Sequence, residues 1–192
     1  MSGLRIVLAS ASPRRAELLR SAGVNFQTAA AGTVEVHEPT LGLSGLVTAN
    51  ARTKALAVAA DHPGAVVIGA DTLVWLDGKP LGKPSSTDQA REMLARLAGR
   101  VHEVATGVHL VRLEPRLQIE FHETTRVRFR PLGENDLADY LSRVDVLDKA
   151  GAYALQEHGE MIVESVEGSR SNVVGLPLER TLAALRRFAG EA

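Results

Sequence analysis

The sequence predicts an α/β fold built on a mixed sheet. Three observations predict it. Apolar strand-like runs alternate with helical stretches through the first half of the chain. Two long alternating strands, joined at Glu114-Pro115-Arg116, follow and read as an antiparallel pair. The 192 residues are 45% hydrophobic and 23% charged, an ordinary globular composition with enough length for one large domain or two small lobes.

Each element has its own signal. Leu4–Ala9 is an apolar run that reads as a buried strand. Ser12 is a suitable N-cap and Pro13 fits the first helical position, so a helix runs from there to a stop at Gly23. Phe26–Ala31 is a short strand candidate, and Gly32–Gly45 is rich in turn formers and carries Glu35 and Glu38. A helix over Leu46–Ala60 ends at Asp61-His62-Pro63-Gly64. Ala65–Ala70 is an unbroken apolar strand closed by Asp71-Thr72, and Leu73–Leu76 turns at Asp77-Gly78, a hairpin signal. Gly82-Lys83-Pro84 leads into a helix capped by Ser86, with Gln89 three residues on as a capping box, which ends at Gly99. The long strands span Val101–Leu113 and Leu117–Phe129, the second with Leu117, Ile119, Phe121, Val127 and Phe129 on one face. A helix over Asn135–Arg143, an irregular stretch through Asp148–Tyr153 and a strand over Met161–Val166 come next. Gly168-Ser169 and Gly175-Leu176-Pro177 read as turns, and Leu178–Phe188 is the last helix, with Leu182, Leu185 and Phe188 as its apolar stripe.

Bulk properties exclude several function classes. Net charge is −1 and aromatic content 4%, which argue against a nucleic-acid-binding module. The absence of cysteine excludes disulfides, thiolate metal sites and cysteine nucleophiles. No apolar run approaches a membrane span and no leader-like apolar segment stands at the start, so a cytoplasmic location is expected. His37, His62, His102, His109, His122 and His158 lack zinc-ligand spacing and read as structural or surface residues. No P-loop, dinucleotide fingerprint or nucleophile elbow is present.

What remains points to phosphate. Arg14 and Arg15 lie in the first helical turn, where the helix dipole disfavours a cation by about 0.3–1 kcal/mol. Free backbone amides, Ser10, Ser12 and two guanidinium groups together make an anion socket; solvated arginines on a surface helix are the alternative. Asp71, directly after an apolar strand, is placed to hold a metal or orient water, or else to form an Asx turn. Glu35 and Glu38 alone would be solvated acids, and Lys54 would be a solvent-facing helical lysine. Lys83 is confined between Gly82 and Pro84, and Lys149 precedes Ala150-Gly151, where a ligand can approach the backbone. A cationic pocket with a carboxylate beside the sheet suits phosphoryl or nucleotidyl chemistry.

Taken together, Leu8–Arg15, Gly69-Ala70-Asp71-Thr72, Gly82-Lys83-Pro84, Thr106-Gly107-Val108, Asp148–Tyr153, Gln156, Gly168-Ser169 and Asn172–Pro177 resemble the Maf family of nucleoside triphosphate pyrophosphatases. The segments stand in family order and cover nearly the whole chain. The resemblance implies a single domain over residues 1–192, an elongated mixed α/β sheet with two lobes around a central cleft, like the inosine triphosphatase-like proteins. It implies hydrolysis between the α and β phosphates of a nucleotide with Mg²⁺ or Mn²⁺, and a link to septum formation. By position, Asp71 would accept a proton from water and share metal binding with Glu35, for which Glu38 is a second candidate. Lys54 and Lys83 would join that catalytic set and, with Ser10, Ser12 and Arg15, hold the triphosphate. Arg14, Thr72 and Gln156 match positions that set base specificity, and Gln156 resembles the branch acting on dTTP and UTP. Glu157-His158 follow it where many relatives have glycine. A 7-methyl-GTP pyrophosphatase and a non-catalytic nucleotide-binding regulator are the alternatives, and a homodimer is expected by analogy.

Overall fold

The computed structural model describes residues 3–36 and 38–190, so His37 lies outside the described residues. Its centre is a seven-stranded mixed sheet. Strand β1 (Ile6–Leu8) pairs in parallel with β2 (Gln27–Thr28) on one side and β3 (Val66–Leu76) on the other. Beyond β3 every pairing is antiparallel. The short β4 (Lys79–Leu81) folds back on β3 through Asp77-Gly78, both at positive φ as a tight hairpin turn requires. The sheet continues through β5 (Val101–Arg112), β6 (Leu117–Phe129) and β7 (Val163–Glu167), giving the order β2-β1-β3-β5-β6-β7. Among the described residues no helix is long and apolar enough to cross a membrane.

The helices pack on this sheet as the apolar patterns demand. Helices α1 (Pro13–Ser21) and α6 (Leu178–Phe188) cover one face near β1, with Leu19, Leu185 and Phe188 against Ile6, Leu8 and Ile68. Helix α2 (Gly42–Ala59) covers the opposite face, packing Ala55 and Val58 against Val7 and Val67. A third apolar cluster lies toward the other end of β3 and β5. There α3 (Thr87–Leu97) and α4 (Glu134–Arg143) bring Leu94, Leu97, Leu137 and Tyr140 against Val74, Val104 and Phe129. The Ser86 side chain accepts the Gln89 amide at 3.2 Å, one arm of the expected capping box, while Gln89 Oε1 accepts the Ser85 amide rather than that of Ser86.

Several sequence boundaries shift. The expected break at Asp71 does not exist: β3 is one strand of 11 residues. Its neighbour β5 pairs with it from Val67 to Trp75, including Asp71 opposite Gly107, so the ladder carries the polar pair through. β2 shrinks to Gln27–Thr28 because β1 ends at Leu8 and offers no longer partner. α2 starts at Gly42, ahead of the apolar periodicity, since Gly42, Ser44 and Gly45 give no hydrophobic signal. A short helix, α5 (Arg170–Val174), lies between the expected turns at Gly168-Ser169 and Gly175-Leu176-Pro177. It is capped by Ser169, which accepts the Asn172 amide at 3.1 Å. Ser12 occupies the N-cap of α1 without a side-chain capping bond; its own amide donates to Ser10 Oγ at 3.1 Å.

Two strand glycines set how closely α2 approaches. A Cβ at Gly69 would lie 2.2 Å from the Ala51 carbonyl oxygen, and one at Gly107 would lie 2.4 Å from Val47 backbone atoms. Strand alternation puts both on the same face as Asp71. The helix therefore rests directly on a glycine floor beside the acid. Gly107→Ala is expected to destabilise the protein by about 1–3 kcal/mol through forced separation of helix and sheet, read as a lower urea midpoint with an unchanged slope.

Candidate active site

A cleft of about 500 Å³ opens at the carboxyl end of β1 and runs along the middle of β3. Ser10, Ser12, Arg14, Arg15, Glu35, Lys54, Asp71, Thr72, Lys83, Lys149 and Gln156 all line it. The chain supplies them from the β1–α1 turn, the first turn of α1, the segment before α2, α2 itself, β3, the turn after β4, and the irregular segment after α4. Glu38 does not line it; it is exposed and accepts from the Thr40 hydroxyl at 2.8 Å.

Asp71 is 4% exposed and sits mid-strand, not beyond a strand end as expected. Its neighbours explain how a buried carboxylate is tolerated. Lys54 Nζ donates to Asp71 Oδ1 at 2.6 Å and to Glu35 Oε1 at 2.8 Å. Asn50 Nδ2 donates to Asp71 Oδ2 at 3.2 Å. Lys54 is thus not the solvent-facing helical lysine that its position alone suggests; its side chain is only 14% exposed and joins two acids distant in sequence. The glycine floor makes this reach feasible by letting α2 lie close against β3.

On the other face of β3, Arg15 is held by neutral acceptors. Its Nε donates to Gly175 O at 2.8 Å, and its terminal nitrogens donate to Ser10 Oγ at 3.2 Å and Thr72 Oγ1 at 3.0 Å. Burial pulls the guanidinium pKa down, opposed by the Asp71 charge and reinforced by Arg14, yet it stays protonated. Thr72 in turn meets Thr106 Oγ1 at 2.9 Å, and Thr106 donates to the Asn172 carbonyl at 3.0 Å. Asn172 is fully buried and its amide donates to Val104 O and Thr125 Oγ1. Thr72, Thr106 and Asn172 stand in segments that carry the resemblance, whereas Thr125 and Asn50 were not singled out from the sequence. Small polar residues inside strands and a five-residue helix give no periodic signal.

Arg14 turns the other way and pairs with Asp148 at 2.8 Å, so the two arginines do not form one socket. Lys149, 5% exposed, bonds Asp148 at 2.8 Å and lies 3.5 Å from Glu157. Burial works against the Asp148 carboxylate, but hydrogen bonds from Lys149 and Arg14 outweigh it and hold its pKa below the usual value. Gln156 and Lys83 reach the cleft with exposed side chains. Near Gln156 the left-handed backbone falls at His158, with φ 54°, rather than at Glu157. Gly151, at φ 69°, donates its amide to Gly82 O at 3.0 Å and tucks against Val74, which fixes the turn carrying Lys83.

The arrangement resembles other mixed α/β proteins. The fold matches a HAM1 protein from Coxiella burnetii at 17% identity and TM-score 0.55, over 96% of this chain and 99% of that one. The Ham1 protein of Staphylococcus aureus matches at 16% identity and the same TM-score and coverage. The mixed α/β sheet expected from sequence is therefore the sheet observed, and its fold is shared with these two proteins. More specifically, the family model described as Maf-like protein matches residues 5–188, and the chain belongs to the Maf family. A relative from Akkermansia muciniphila named dTTP/UTP pyrophosphatase is 47% identical over 180 residues, 94% of each chain. One from Myxococcus xanthus with the same name is 48% identical over 183 residues, 95% of this chain and 91% of that one.

Beneath the cleft, His102 is buried and meets the Tyr153 hydroxyl at 2.8 Å. Burial lowers its pKa from 6.5 to about 4. The unfolded chain therefore binds more protons between about pH 6.5 and pH 4, and stability falls as pH drops through that window by roughly 1 kcal/mol per unit. His102→Gln is expected to flatten this slope, measured as melting temperature against pH.

Proposed function

We propose that this chain is a nucleoside triphosphate pyrophosphatase that hydrolyses dTTP and UTP to the monophosphate and pyrophosphate. The observation that carries the reading is the buried Asp71 carboxylate, engaged by Lys54 and facing a cleft lined by Arg15 and Lys83. Membership of the Maf family supports it, as do the names of relatives over 40% identical along nearly the whole chain.

In this reading Asp71 accepts the proton of the water that opens the α–β phosphoanhydride, and the bridging oxygen leaves with pyrophosphate. Arg15, preorganised by Gly175, Ser10 and Thr72, meets the growing charge on the leaving group together with Lys83. Ser10 and Ser12, at the mouth of α1, orient the phosphates. Arg14, Thr72 and Gln156 select the base, with the Gln156 amide able to donate and accept at a pyrimidine edge. Lys149 holds the Asp148 segment in place behind Arg14 and contributes positive potential to the nucleotide.

The donor set suits a divalent cation. Two carboxylates, Glu35 and Asp71, already converge on one ammonium group, and among the described residues no third acid or histidine joins them. That is the pattern of Mg²⁺ sites completed by water and substrate phosphate. Glu35 and Asp71 would hold the ion, which supplies charge neutralisation to the phosphates when bound.

Mixing the protein with dTTP or UTP and Mg²⁺ is expected to release pyrophosphate; no release from any canonical or 7-methylated triphosphate overturns the reading. Asp71→Asn is expected to lower kcat by about 10²–10⁴-fold with a much smaller change in KM. Substituting Gln156 is expected to change the ratio of dTTP to 7-methyl-GTP turnover rather than both equally.

A further inference from the structure

We infer that Asn50 is a positioning residue that locks the segment carrying Glu35 onto Asp71, a role that rests on the proposed reading of the cleft. Asn50 is 2% exposed and lies on α2, one turn before Lys54. Its Oδ1 accepts the Val36 amide at 2.7 Å, and its Nδ2 donates to the Val36 carbonyl at 3.3 Å. The same Nδ2 donates to Asp71 Oδ2 at 3.2 Å. One side-chain amide thus takes both backbone groups of the residue next to Glu35 and one oxygen of Asp71. Only a group that donates and accepts at once can do this; an aspartate has no N–H for Val36 O or Asp71, and a leucine has neither function.

Division of labour with Lys54 follows from helical spacing. Residues four apart share a helix face, so Asn50 and Lys54 meet Asp71 together, one on each carboxylate oxygen. Lys54 fixes the Glu35 carboxylate, while Asn50 fixes the backbone beside it. Lys54 is long and flexible, and alone it would tether Glu35 without setting where its backbone lies. With Asn50 in place, the two acids become a pair of defined geometry.

The test uses Asn50→Leu and Asn50→Ser, the second leaving room for water. Asn50→Leu is expected to keep its fold and lower kcat for dTTP by about 100-fold, with KM within about threefold. Independently of turnover, Val36 amide hydrogen exchange is expected to accelerate by about tenfold, with amides of α2 and β3 unchanged. Asn50→Ser is expected to fall between parent and Asn50→Leu in both readouts. Unchanged kcat overturns the assignment, as does a loss that comes with faster exchange throughout α2 and β3 in both variants. If the parent releases no pyrophosphate, the functional reading falls, and the exchange at Val36 alone decides for or against Asn50.

Discussion

One ammonium group between two carboxylates organises this molecule. Lys54 on α2 joins Asp71 from the middle of β3 to Glu35 from the segment before α2. Two acids brought together in a part-buried cleft repel each other, and each loses hydration. A cation between them offsets both effects, but only if the helix that carries it can come near enough. Gly69 and Gly107 supply that closeness, since a methyl group at either would drive into the backbone of α2. Sheet composition, helix position and the chemistry of the cleft are therefore one constraint seen at three scales.

The opposite face of β3 solves a different problem. Arg15 makes its hydrogen bonds to neutral acceptors, so among the described residues no carboxylate partner cancels its charge. Carbonyl and hydroxyl acceptors at Gly175, Ser10 and Thr72 give it direction without cancelling it. Thr72 and Gly175 are themselves fixed from below through Thr106 and Asn172, which with Thr125 tie α5 to β5 and β6. The network is paired except at Asn172 Oδ1, which is buried and meets no hydrogen-bond partner among the described residues.

Much of this was legible in the sequence. The helix α6 and the strand β6 fall on the predicted residues because their apolar spacing is long and regular. The residues lining the cleft were legible because short segments resembling one family stand in order along the chain. Other features were not. A strand with Asp71-Thr72 at its centre looks broken until its partner β5 is known, because the ladder and not the side chains keeps it extended. Lys54 looks solvent-facing until Asp71 is placed beside it. Asn50 carries no signal of its own, since its three partners lie in two segments that only the fold brings together.

The unbroken run of β3 and β5 has a mechanical meaning. Both strands pass beneath the cleft and serve apolar clusters at either end, Ile68 and Leu110 at one and Val74 and Val104 at the other. A hinge needs a few residues free to change their backbone angles, and a paired double strand has none to spare. Any widening of the cleft must then be taken up as distributed sheet twist. Asp71 stands midway along that paired run, so the ladder on either side of it fixes its place.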